Sequence, residues 1–86
     1  MDEERVILGI RVEQRENRAV EVQTVFTKFG CNIKTRVGLH DTAEGECSPN
    51  GLIILEFLGT EDKCSELQNK LNEISGVEVK KMTFKY

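Results

Sequence analysis

Residues 52–58 read LIILEFL, and almost every one is apolar. So short and continuous an apolar run predicts a strand covered on both of its faces. A change of period follows at once. Thr60 is a capping residue, and Glu61 and Asp62 supply the negative charge that suits a first helical turn. Cys64, Leu67, Leu71 and Ile74 recur at spacings of three, four and three, the stripe of an amphipathic helix. Gly76 closes that helix, and VEVKKMTF from Val77 resumes as a strand with Val77 and Val79 alternating with charge. Strand, helix and strand thus follow one another in the second half of the chain.

The first half repeats the pattern. In RVILGIRVE, Arg5–Glu13, the residues Val6, Leu8, Ile10 and Val12 alternate with Ile7, Gly9 and Arg11, the period of a strand. The polar turn QREN leads into a helix expected from Asn17, its N-cap, to Phe29. Ala19, Val22, Phe26 and Phe29 form the stripe, widened by Val25, and Gly30 is placed to end it with positive φ. CNIKTRVGLH, Cys31–His40, reads as the second strand. Its alternation puts Ile33, Thr35, Val37 and Leu39 on one face and Asn32, Lys34, Arg36, Gly38 and His40 on the other. Asp41–Gly51, with the chain's one proline at Pro49, is expected to be a loop longer than an ordinary hairpin connection.

Strand, helix, strand, strand, helix, strand is the order of an α+β ferredoxin-like sandwich. Its four-stranded antiparallel sheet runs 4-1-3-2, with both helices on one face. Val6, Leu8, Ile10, Val12, Ile53, Leu55 and Phe57 should face the helices, because Arg11 and Glu56 lie on the other faces of their strands. The open face is then expected to hold Ile7, Gly9, Arg11, Lys34, Arg36, Gly38, His40, Leu52, Ile54 and Glu56, an apolar centre with a charged rim. Such a patch marks an interaction surface. It predicts a homo-oligomer, dimer or tetramer, packed through the sheet or through strand edges.

With 86 residues the chain is read as one domain, 1–86, small enough to gain from burying further surface. Its hydrophobic share of 38% is too high for a disordered segment. Twelve Lys and Arg against 15 Asp and Glu leave a net charge of −3, which argues against direct nucleic-acid binding. An RNA-recognition sheet also needs open-face aromatics on strands 1 and 3, and strand 1 has none while Phe57 is assigned to the helix side. No apolar run approaches a membrane span, and none reads as a signal peptide. Cys31, Cys47 and Cys64 form no C-x-x-C, which predicts a reducing, cytoplasmic setting. Cys31 and Cys64 are expected in the core and Cys47 on the surface.

VILGIRVEQRENRAVEV, FGCNIKTRVGL and ISGVEVKKM together make the chain resemble the ACT-like regulatory domains. More closely, it resembles the small family of iron-only hydrogenase system regulators, itself related to the metal-binding domain of the nickel-responsive repressor. The resemblance implies a stand-alone sensing domain that assembles as a dimer or tetramer. An ACT effector turn usually carries a glycine, often as D-x-P-G; here the turn is Glu13–Arg18 with neither Gly nor Pro. The nickel repressor has a DNA-binding segment before this domain. Here only Met1–Glu4 precede strand 1, so any effect on transcription is expected to run through a partner.

Two candidate sites emerge. In the nickel repressor's domain two histidines alternate on strand 2, a cysteine follows near the hairpin, and a third histidine comes from a neighbouring subunit. By that resemblance His40 and Cys47 are the metal candidates, with Gly38 standing where the other strand histidine would be. Imidazole and thiolate suit zinc or nickel, Asp41, Glu44 and Glu46 could add oxygens, and pairing across a two-fold axis would complete the set. The second candidate is an anion site. Arg11, Lys34 and Arg36 are expected on the open face with Gly38, near Arg15, Arg18 and the free backbone N–H groups at the start of the first helix. A small carboxylate or phosphate effector at a subunit interface would fit it. No catalytic residues are assigned, since the chain has a single histidine, no P-loop and no G-x-S-x-G. The cofactor is unknown. The expected function is a non-enzymatic regulatory domain; the alternatives are a protein-interaction module without a small ligand and a divergent nickel or zinc domain.

Overall fold

The alternation of Val6, Leu8, Ile10 and Val12 places strand β1 (Glu4–Val12) at the middle of the sheet, where one face can be buried. The structure is a computed structural model that describes residues 4–13, 15–43 and 46–85, with side chains throughout except at 15–17 and 40–50. After β1 come α1 (Arg15–Lys28), a 3-10 turn (Gly30–Asn32), β2 (Ile33–Ala43), β3 (Glu46–Phe57), α2 (Glu61–Asn72) and β4 (Val77–Lys85). The sheet order is β2-β3-β1-β4, which is 4-1-3-2 read from the other edge, and all three pairings are antiparallel.

Both helices lay their stripes on the same face. Leu8, Ile10 and Val12 from β1, Leu55 and Phe57 from β3, and Val77 from β4 meet Val22, Phe26 and Phe29 from the α1 side and Cys64, Leu67, Leu71 and Ile74 from the α2 side. Val6 and Ile53 pack on the margin of this core, so the helix-facing residues expected of strands 1 and 3 are the observed ones. Thr60 caps α2 by accepting the Lys63 backbone N–H at 3.2 Å. Burial pushes the Cys64 thiol above its ordinary pKa, which keeps it protonated and inert.

Four local expectations are corrected. The stretch Asp41–Gly51 is not a long loop: β2 and β3 continue through it, with Thr42 opposite Cys47 and Ala43 opposite Glu46. The register is irregular between His40 and Thr42, and Pro49 falls in that stretch, where a missing N–H is tolerated. Helix α1 begins at Arg15, so Asn17 lies in its first turn and is not its cap, and Ala19 is exposed outside the buried stripe. Gly30 has no positive φ; it opens the 3-10 turn, whose Asn32 N–H bonds back to the Phe29 carbonyl at 2.8 Å. Cys31 sits in the same turn and is exposed.

Gly76 does take the left-handed conformation, with φ of +82°. Its carbonyl accepts the Glu13 N–H at 2.9 Å, tying the end of β1 to the start of β4. A Cβ there would stand 3.3 Å from Arg18 Nε. Gly76→Ala should therefore cost about 1–2 kcal/mol in urea unfolding at fixed protein concentration. Gly30→Ala, where a Cβ meets nothing within 4 Å, should change stability by no more than about 0.5 kcal/mol. Equal costs at the two positions would contradict this assignment of the helix ends.

Candidate functional site

The face of the sheet that the helices leave bare is fixed by the strand registers. Ile7 pairs with Glu56 and Met82, Gly9 with Ile54 and Lys80, and Arg11 with Leu52 and Glu78, so these residues share one side. On β2 the expected assignment is reversed. Ile33 pairs with Phe57 on the helix side, but Thr35 pairs with Glu56, Val37 with Ile54 and Leu39 with Leu52. One residue, Lys34, is left over as a bulge, and a slip of one exchanges the faces of everything beyond it. Thr35, Val37 and Leu39 therefore stand on the open face, while Arg36 and Gly38 turn to the helix side.

The correction makes the open face more apolar. Val37, Leu39, Leu52, Met82 and Phe84 on it are each between 39% and 57% exposed, where an ordinary half-buried sheet would show polar side chains. Met82 and Phe84 were given no face from sequence. Carrying the Val77, Val79 alternation to the end of β4 would have placed them opposite the core.

Most of the charge on this face is paired within the chain, Lys80 opposite Gly9 being the exception among the described residues. Glu56 is only 6% exposed although no layer covers it. The Arg5 guanidinium clasps it from Nε at 2.8 Å and Nη2 at 2.7 Å, a two-pronged pair. These hydrogen bonds hold the Glu56 carboxyl below the usual carboxylate value against the opposing effect of desolvation, and the charges of Arg5 and Lys34 act in the same direction. Arg11 pairs with Glu13 at 3.2 Å and with Glu78 at 3.5 Å.

The anion candidates do not come together in one protomer. Arg11 stands on the open face. Arg36 lies on the other side of edge strand β2, its guanidinium 5.2 Å from the Phe26 ring centre and donating to Gln23 Oε1 at 3.2 Å. Gly38 follows on the same side as Arg36. A site that used Arg11 and Arg36 together would have to draw them from different protomers. The Arg15 side chain lies outside the described residues, as do those of the metal candidates His40 and Cys47, of Asp41 and Glu46, and Glu44 entirely. The backbone puts His40 opposite Gly51 and Cys47 opposite Thr42, on the two arms of one hairpin. Among the described residues no three His, Cys, Asp or Glu gather as a metal cluster, and no helix is long and apolar enough to cross a membrane.

Four antiparallel strands in this order, with both helices on one side, define a ferredoxin-like α+β domain of the ACT type. The chain matches, over residues 5–81, the TM1266-like family model described as "Iron-only hydrogenase system regulator, putative". It belongs to that family. Among solved structures it is similar to the uncharacterized protein TM1266 from Thermotoga maritima, at 32% identity and a TM-score of 0.79, covering 95% of this chain and 99% of that one. It is also similar to the ACT domain of the GTP pyrophosphokinase of Chlorobium tepidum, at 26% identity and a TM-score of 0.66, over 95% of this chain and 100% of that one. CPII, a nitrogen regulatory PII-like protein from Thiomonas intermedia K12 bound to ADP, AMP and bicarbonate, shares the fold at 13% identity and a TM-score of 0.66, over 100% of this chain and 96% of that one. No match is found among the curated proteins. The chain is thus a small domain of a regulator family on an ACT-like fold.

The Arg5–Glu56 pair has a definite pH signature. Because the folded-state pKa of Glu56 is lowered, the stabilisation is complete above the ordinary value of 4.5 and is lost as pH falls through the folded value. Melting temperatures of wild type and Glu56→Gln should differ most near neutral pH and converge only in acid, once the pH has fallen through the lowered folded value. A gap that stays constant into acid would show that the carboxylate's charge contributes nothing.

Proposed function

We propose that the protein is a non-enzymatic, cytoplasmic regulatory domain, 1–86, that works as a homo-oligomer and takes a small anionic effector where subunits meet. The observation that carries this reading is the match of residues 5–81 to a regulator family. Support comes from the chemistry of the site. Arginines stand at the margins: Arg11 beside the β1–α1 turn, Arg18 in the first turns of α1 with its Nε buried and unpartnered, and Arg36 on the β2 edge. Arg11, Arg15, Arg36 and Gly38 become one site only when protomers combine, which makes effector binding and assembly depend on each other.

A metal reading is kept for one reason: the hairpin register sets His40 opposite Gly51 and Cys47 opposite Thr42, on adjacent strands either side of an irregularity. A two-fold pair of such hairpins would supply four ligands of zinc or nickel type.

A thermal-shift panel of amino acids, nucleotides, small carboxylates, phosphate, zinc and nickel tests both readings. An effector at 100 times its dissociation constant adds about 2.7 kcal/mol of stability, a rise of roughly 10 °C or more for a domain of this size. The regulatory reading predicts such a rise for one anionic class, removed by Arg11→Ala. A rise with zinc or nickel that disappears in His40→Ala supports the metal reading instead. No rise with any compound contradicts both and leaves a protein-interaction module.

A further inference from the structure

Gly9 lies in the middle of β1, a strand paired on both sides, opposite Ile54 and Lys80. Glycine weakens such a strand, since it loses the most backbone freedom and packs nothing. Conformation does not require it: among the described glycines only Gly59 and Gly76 have positive φ. Crowding within the chain does not require it either. A Cβ at position 9 would meet only Ile54 Cδ1, at an ordinary 3.8 Å. Its effect is a side-chain hollow at the centre of the open face, between Ile7 and Arg11 along the strand and Ile54 and Lys80 across it. A glycine that nothing inside the chain explains marks a place where something outside approaches closely.

From this we infer that a second copy of the chain packs sheet to sheet on the open face, about a two-fold axis near Gly9, with the partner's apolar side chains entering the hollow. The inference rests on the homo-oligomer part of the proposed function and adds the surface and the contact.

Three observations select a second copy on this face. First, size: four strands about 4.8 Å apart, each presenting roughly seven residues, make a face of about 19 by 24 Å in projection. That is about 460 Å², more than half of the roughly 800 Å² per partner of a standard interface before side-chain relief is counted. Secondly, charge: Glu56 is already clasped by Arg5, and Arg11 by Glu13 and Glu78. Lys80, opposite Gly9 on edge strand β4, has no ion pair among the described residues, but its long stem can carry the ammonium to the rim. The other charges are matched, and an identical sheet of the same twist suits the apolar rows between them. Thirdly, the sheet edges are poor alternatives. β4 carries Lys80, Lys81 and Lys85, and β2 is bulged at Lys34, both features that discourage strand addition.

The test is sedimentation equilibrium of the full chain. Wild type should be dimeric or a higher even assembly at micromolar concentration. Leu39→Glu combined with Met82→Glu changes two side chains that are half exposed on the outer strands. It should raise the dissociation constant about 100-fold or more. Gly9→Val, which fills the hollow, should raise it about tenfold or more, while Val20→Glu, 79% exposed on α1, should leave it within about twofold. In the monomeric Leu39→Glu, Met82→Glu background, Gly9→Val should raise the melting temperature by about 2–6 °C, because it removes a strand glycine. If that substitution lowers it, the glycine serves the chain's own fold and the inference falls. If wild type assembles and the face variants assemble equally well, the inference falls while the homo-oligomer reading stands. If wild type is a monomer at high micromolar concentration, both fall, and the shared anion site falls with them.

Discussion

One extra residue in β2 decides what the outside of this molecule looks like. Ile33 takes its place beside Phe57 at the core margin, Lys34 is left over, and from Thr35 onward the strand turns its apolar side chains away from the helices. Without the bulge, Val37 and Leu39 would add to the helix-side core, and Arg36 and His40 would share a polar edge with Arg11. With it, Val37 and Leu39 extend the apolar row begun by Ile54 and Leu52, and Arg36 finds its place over Phe26. The same slip bends and roughens the β2 edge. It thus enlarges the face and weakens the edge together.

The core proper does not depend on this. Two helical stripes close over β1 and β3, Thr60 fixes the start of α2, and Gly76 returns the chain into β4 against Glu13. A domain of this size buries a modest share of its surface, so its stability is expected to be small. A second apolar layer on the bare side would supply what a single core lacks. Assembly, stability and any interface-bound effector would then be linked, and a ligand favouring the assembled state would shift both. Such coupling gives a small regulator its response without any catalytic chemistry.

Most of the architecture was legible because period is a strong signal. Residues 5–13 and 52–58 carried the two central strands, and the stripe through Cys64, Leu67, Leu71 and Ile74 carried α2, because each buries one definite side. The face of β2 was not legible. Ile33, Val37 and Leu39 have the same parity, so they read as one uninterrupted side, and Lys34 carries no Gly or Pro to announce a bulge. Only pairing with β3 exposes the slip. The expectation that Arg36 and Arg11 share one face was overturned for the same reason, so the anion candidates do not meet within one protomer. The extension of the hairpin was hidden by the polar composition of 41–51, where tertiary pairing prevailed over weak strand propensity. Gly30 misled because a glycine after a helix is commonly a left-handed cap, whereas here the chain tightens into a 3-10 turn.

The central claim is that the bare side of the sheet is covered by an identical bare side. Isotope-filtered nuclear Overhauser spectra on a mixture of labelled and unlabelled chains test it most directly, because they see only contacts between copies. The account predicts cross-peaks joining the methyls of Val37, Leu39, Leu52 and Ile54 to side chains of the same face in the other copy, with Gly9 Hα among them. Intermolecular peaks confined to the backbone of β2 or β4, or none in a sample that stays monomeric, would contradict it.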